Sequence, residues 1–372
     1  MDDIIQFIRQ LYGEPEAFIP LHAPVFTGRE KEYLSHCIDT TFVSSVGEYV
    51  TRFEEMTRDF TGAKRAVAVV NGTCGLTAAL ELVGVGHGDR VLTQGLTFVA
   101  TANAISNTGA IPVFIDSDPD TLGMSPKALE VWLDAHPEEI PHIKACVPVH
   151  ILGHACRIRE ICNVCKRHGI PVVEDAAEGL GSFLDGRHLG TFGKLGVLSY
   201  NGNKTITTGG GGMILAGDEE LGGHVKHMTA TAKVPHRWEF RHDAVAWNYR
   251  MPNINAALGC AQMEKLDEIL ADKRAVAAAY RDFFASVDGI DYVDAPQGCL
   301  SNYWLNTVLF EDRKQRDEFL ARSNDAGVMT RPLWALMADL PMYANHENDG
   351  LKNARDLAER AVNLPSGPRL KP

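Results

Sequence analysis

From about residue 61 to residue 216, short apolar runs alternate with segments whose apolar residues recur every three or four positions. The runs at 65–70, 89–93, 111–116, 145–149, 170–173, 197–200 and 213–215 are too short for buried helices and read as buried strands. Between them, 73–83, 98–108 and 159–168 carry helical spacing. Ser125-Pro126 supplies an N-cap and a first-turn proline for a helix through Ala135. This rhythm predicts an α/β fold, a mainly parallel sheet flanked by helices on both faces. Ligands of such sheets bind beyond the carboxyl ends of the strands.

The pattern changes after Pro252. Residues 253–287 contain no proline and place Ala257, Leu258, Met263, Leu266, Ile269 and Leu270 at helical spacing. One long helix is expected there, leading into a smaller C-terminal α+β domain with a strand at 304–310 and a helix at 312–326. The predicted division is a large domain at 1–250 and a small one at 251–372, with the segment 1–25 packing on the small domain. A length of 372 residues suits this arrangement.

Composition narrows the partners. The formal net charge of −12 disfavours nucleic acid and anionic membranes, and no run approaches the about 18 apolar residues of a membrane span. The acidic start, Met1-Asp2-Asp3-Ile4-Ile5, lacks a long apolar core, so no secretory signal is expected. The eight cysteines are spread without a framework, which fits a reduced, cytoplasmic protein. Cys162 and Cys165 lie three apart on one helix face with no second Cys or His pair at zinc spacing; they read as structural, and no metal is expected.

Lys204 carries the most distinctive chemistry. It follows the strand-like run ending at Tyr200 and precedes Gly209 to Gly212 and a second apolar strand, so it is offered from the end of a buried strand. About 30 residues upstream, another hydrophobic strand ends in Glu174 and Asp175. A buried carboxylate needs a cation nearby, which a pyridinium would supply. A lysine to form a Schiff base and an acid to keep a pyridine nitrogen protonated are what a pyridoxal phosphate site requires. Asn71-Gly72-Thr73-Cys74-Gly75 joins a strand to a helix and could aim backbone N–H groups at a phosphate, although small residues cap many such turns. Phe98 could cover a planar cofactor or simply fill the core. Ser199 could reach the same phosphate or be a satisfied core serine, and Asn248-Tyr249-Arg250-Met251-Pro252 could be an ordinary helix-entry turn.

In this order, these elements resemble the nucleotide-sugar aminotransferases of the DegT/StrS type, which have the aspartate aminotransferase fold (pyridoxal phosphate fold type I). The likeness rests on Asn-Gly-Thr at 71–73, Gly-His-Gly-Asp at 86–89, Thr-Phe-Val-Ala-Thr-Ala-Asn at 97–103 and Val-His-Ile-Leu-Gly-His at 149–154. It continues through Glu-Asp-Ala-Ala-Glu at 174–178, Ser199 with Lys204, and Asn-Tyr-Arg-Met at 248–251. The resemblance implies a seven-stranded, mainly parallel large-domain sheet. It implies that Lys204 holds pyridoxal 5′-phosphate covalently and moves the proton, that Asp175 pairs with the pyridine nitrogen and that Phe98 stacks on the ring. Thr73, the backbone N–H of Cys74 and Ser199 would bind the phosphate, together with Asn248 from the partner subunit of a homodimer. Glu178 stands where many members carry glutamine, near the cofactor's phenolic oxygen, and the four glycines at 209–212 replace a more usual Gly-Glu-Gly-Gly.

The segments 19–26, 41–47 and 327–334 further resemble a subgroup that aminates C4 of a UDP-linked 4-keto-6-deoxy-N-acetylhexosamine in bacterial surface-sugar and legionaminic-acid-type pathways, with L-glutamate as donor. Ser44, Ser45, Arg331 and Trp334 are then candidates for the nucleotide-sugar pocket, against a plain structural role in a loop and a small-domain turn. Three alternatives stand beside this reading. A C3 sugar aminotransferase and an amino-acid aminotransferase share the fold, the latter with Arg331 as a carboxylate clamp. A non-catalytic cofactor-holding regulator would need no proton-shuttling lysine. Sugar dehydratases on this scaffold carry histidine in place of the lysine, which Lys204 disfavours.

Overall fold

A computed structural model describes residues 1–371. Seven strands form the large sheet: β1 (Arg65–Val69), β2 (Arg90–Gln94), β3 (Ile111–Ile115), β4 (Ile143–Val147), β5 (Val173–Asp175), β6 (Leu195–Ser199) and β7 (Gly212–Ala216). Their order is β3-β2-β4-β5-β6-β7-β1, with β4 and β5 joined by the parallel bridges Cys146–Val172 and Val149–Asp175. Every neighbouring pair is parallel except those made by β7, which runs antiparallel to both β6 and β1. The expected sheet is therefore present, α/β and mainly parallel, with apolar strands covered by helices on both faces.

The helices form where the side chains satisfy their ends. Asn71 caps the helix Gly72–Leu82 by accepting from the Cys74 N–H at 2.8 Å, and Ser125 caps the helix Pro126–Ala135 by accepting from Ala128 N–H at 3.2 Å. Each such cap is worth about 1 kcal/mol. The expected helix beginning at Phe98 starts one residue later, as Val99–Asn107, because Phe98 itself keeps an extended backbone.

Two expectations of longer elements are corrected. The helix predicted over 253–287 is two helices, Asn253–Met263 and Leu266–Phe284, broken where Lys265 leaves helical geometry (φ −107°, ψ 0°). Apolar spacing runs through the break because both helices face packed core, so periodicity did not reveal it. The strand predicted from Trp304 begins only at Asn306. Tyr303 has φ 45°, a left-handed backbone that cannot belong to a strand.

A four-stranded antiparallel sheet lies in the C-terminal part, in the order Ile290–Val293, Asn306–Phe310, Ala361–Leu364, Arg331–Pro332. Ile4, Ile5 and Ile8 of the first helix (Asp2–Tyr12) pack with Val276, Tyr280, Val308, Phe310 and Phe319 in one apolar cluster. No helix among the described residues is long and apolar enough to cross a membrane.

Candidate active site

Strand register brings the chemistry to one edge. Val69, at the end of β1, and Ser199, at the end of β6, both pair with Gly212 at the start of β7. Asp175, the last residue of β5, pairs with Val197, so it stands two residues short of Ser199 on the adjoining strand. A cavity of about 330 Å³ opens at this edge. It is lined by Thr73, Phe98, Thr101, Asp175, Glu178, Ser199, Lys204, Trp304 and Trp334 among others.

The N-terminus of the helix Gly72–Leu82 is built for close approach. A Cβ on Gly212 would lie 2.6 Å from the Asn71 carbonyl carbon and 2.8 Å from the Gly72 nitrogen. Only glycine lets β7 start against this turn. Gly72 in turn lies near Ser199, whose Cβ would stand 3.2 Å from an added methyl group. The helix N-terminus, the Thr73 hydroxyl and the Ser199 hydroxyl thus border one end of the cavity, a donor set that suits a phosphate.

Asp175 lies across the cavity, almost wholly buried. Its Oδ2 accepts from the Thr101 hydroxyl at 2.7 Å and its Oδ1 from the Ala177 N–H at 3.1 Å. Burial raises its pKa, opposed by these hydrogen bonds and by the charge of Lys204. A buried carboxylate placed in this way is complementary to a protonated ring nitrogen, whose positive charge would offset the cost of its burial.

Lys204 sits on the turn after β6, its backbone N–H donating to the Asn201 carbonyl at 3.0 Å. Its Nζ lies 3.4 Å from Oε1 of Glu178 and 3.9 Å from the centre of the Trp304 ring. Glu178 also accepts from the Leu152 N–H at 2.7 Å. Burial pushes the Glu178 pKa up to about 7, while the lysine charge and the Leu152 bond act against it. Amine, acid and anion cradle occupy one pocket, and these residues fit pyridoxal phosphate.

Consecutive residues on a strand face opposite ways, so Glu174 cannot share the site with Asp175. It points away and accepts from His150 Nε2 at 2.8 Å, Gly190 N–H at 2.9 Å and Gly193 N–H at 2.6 Å. The expectation that a pyridinium satisfies this carboxylate is therefore corrected for Glu174: an imidazole and two backbone amides do so.

Other candidates lie elsewhere. Asn248 is on an exposed segment, bridged to Ala230, and its side-chain oxygen accepts from Arg250. Arg331 is turned to Asn324 and the Thr330 carbonyl. Ser44 is exposed and its carbonyl accepts from Asn253 N–H at 2.6 Å; Ser45 and the Cys74 side chain are likewise outside the lining. Trp334 reaches the cavity and stands 6.2 Å from Phe98, ring centre to ring centre. Sequence reading missed Thr101 and Trp304. Thr101 lies within a noted motif, one helical turn after Thr97, to which it bonds at 3.0 Å. Trp304 is 100 residues beyond Lys204 and no local pattern marks it.

The sequence profile of the DegT/DnrJ/EryC1/StrS aminotransferase family matches residues 25–372. EpsN of Bacillus subtilis (strain 168), described as a pyridoxal phosphate-dependent aminotransferase, is 37% identical over 354 residues, 94% of this chain and 91% of EpsN. The GDP-perosamine synthase of Escherichia coli O157:H7 is 36% identical over 354 residues, 95% of this chain and 94% of its own. Among solved structures, the aminotransferase TlmJ from Streptoalloteichus hindustanus superposes with a TM-score of 0.87 at 30% identity, covering 94% of each chain.

Proposed function

The chain belongs to the DegT/DnrJ/EryC1/StrS aminotransferase family and is a pyridoxal phosphate-dependent sugar aminotransferase; from that premise we propose that it moves the amino group of L-glutamate to the C4 keto carbon of a nucleotide-linked 4-keto-6-deoxy sugar. The observation that carries the chemistry is the meeting of Lys204, Asp175 and the N-terminus of the helix Gly72–Leu82 in one cavity. When bound, the cofactor supplies an electron sink for the carbanion formed as the donor Cα–H bond breaks. Lys204 would hold it and, once freed by the incoming amine, carry the proton away from the donor carbon. Asp175, steadied by Thr101 and Ala177, would keep the ring nitrogen protonated. The Gly72–Thr73 turn and Ser199 would take the phosphate, with the Cys74 N–H and Asn248 of a second subunit as further contacts, and Phe98 would cover the ring. Glu178 would face the reacting side with Lys204.

The resemblance of 19–26, 41–47 and 327–334 supports a UDP-linked N-acetylated sugar, with Ser44, Ser45, Arg331 and Trp334 near the nucleotide of a shared homodimer site. The 36% identity to a GDP-perosamine synthase supports a second reading, a GDP-linked sugar. Both serve a role in surface polysaccharide synthesis in the cytoplasm. The test is spectroscopic. L-glutamate should bleach the visible band of the loaded protein, and UDP-4-keto-6-deoxy-N-acetylglucosamine should restore it. Recovery with the GDP-linked 4-keto-6-deoxymannose alone moves the assignment to the second reading, and recovery with neither removes both.

A further inference from the structure

One residue of the cavity wall touches the lysine from 100 residues further along the chain. The turn that presents Lys204 lies at the surface: Asn201 and Asn203 are exposed, Gly202 lies between them, and among the described residues the Nζ has one hydrogen-bond acceptor, Glu178 at 3.4 Å. Trp304 supplies what the turn lacks. Its indole N–H donates to the Asn203 carbonyl at 2.7 Å, which pins the peptide unit entering Lys204. Its ring face stands 3.9 Å from the Nζ, on the negative side of the aromatic quadrupole.

The tryptophan is itself held at both polar groups of its backbone. Its backbone N–H donates to Oδ1 of Asn302 at 2.7 Å, and its carbonyl accepts from the buried Lys273 at 3.3 Å. Asn302 donates to the Glu178 and Leu180 carbonyls at 2.7 and 2.8 Å, tying the same segment to the acid side of the cavity. Between Asn302 and Trp304, Tyr303 takes the left-handed backbone (φ 45°), conformation that a bulky residue adopts only where surrounding contacts impose it. That turn is what carries the indole inward, leaving it 5% exposed.

We propose that Trp304 is a positioning residue for the amine of Lys204, its N–H fixing the lysine turn and its ring face holding the protonated nitrogen toward Glu178. The inference rests on Lys204 being the cofactor lysine. Each half-reaction frees this amine and needs it back, and a flexible side chain swinging away loses the near-attack geometry that proton transfer requires. A cation–π contact suits the task because it favours the charged nitrogen without competing for its proton.

The test is a pH titration of the visible band of the loaded enzyme, which reads the protonation of the lysine nitrogen. In Trp304→Leu the midpoint should fall by about half to one pH unit. The turnover number should drop about tenfold or more while the KM for L-glutamate stays within about twofold. Trp304→Phe keeps a ring but loses the bond to Asn203; its midpoint should stay near wild type while its turnover number falls. Fluorinated tryptophan placed at 304 keeps shape and N–H but weakens the ring face, so its midpoint should fall at unchanged Tm. An unmoved midpoint in the fluorinated protein overturns the proposal, even if the Leu variant does not fold. Cofactor that borohydride still fixes covalently to the chain in Lys204→Ala instead removes the lysine assignment on which the inference stands.

Discussion

The Thr101 hydroxyl donates to Oδ2 of Asp175 at 2.7 Å, linking the first turn of a helix to the last residue of a strand 74 positions away in sequence. Burial penalises the Asp175 charge and this bond opposes the penalty. Thr101→Val removes a hydrogen bond to a charged group, worth about 1.5–3 kcal/mol, and should lower kcat by about ten- to a hundredfold. Thr101→Ser should keep most of the activity. Steady-state kinetics of the two variants, with cofactor content measured alongside, checks this.

Lys204→Ala should fold, because the side chain is part-exposed at the cavity wall and its neighbours Thr205 and Ile206 carry the core packing. Turnover should fall by at least about a thousandfold, and the visible band of the covalently held cofactor should vanish. Unchanged circular dichroism with full activity would end the assignment.

Glu178 has a pH signature of its own. Its folded pKa of about 7 lies above the ordinary 4.5, so between those values the folded chain keeps a proton that the unfolded chain has lost. The cofactor-free protein should therefore lose stability as pH rises from about 4.5 to about 7, by on the order of 1–3 kcal/mol. Denaturant titrations across that window should show a smaller slope for Glu178→Gln.

Lys273 gives the opposite sign. The side chain is buried and donates to the Ser366 carbonyl at 2.6 Å and the Trp304 carbonyl at 3.3 Å, with His22 Nε2 at 3.0 Å. Burial pulls its pKa down to about 7 from 10.5, with Asp272 pulling the other way. Between these values the unfolded chain binds the extra proton, so stability should rise with pH from about 7 upward, by on the order of 3–5 kcal/mol. Lys273→Met should remove that rise. It should also lower Tm near neutral pH, because the Ser366 and Trp304 carbonyls lose a donor.

The sequence by itself determined the sheet, most of the helices, the strand-end placement of Asp175 and the position of Lys204 shortly after a strand. Those features are local: apolar runs and caps such as Asn71 and Ser125 each act within a few residues. Tertiary structure decided the rest. Which carboxylate of the Glu174–Asp175 pair faces the cavity depends on the pleat, and the partner of the other is His150 from the segment after β4. The break at Lys265 and the left-handed Tyr303 are imposed by packing that apolar spacing does not encode. Trp304 reaches Lys204 only because the chain returns to the large sheet's edge after 100 residues, and a contact of that separation leaves no local pattern to read.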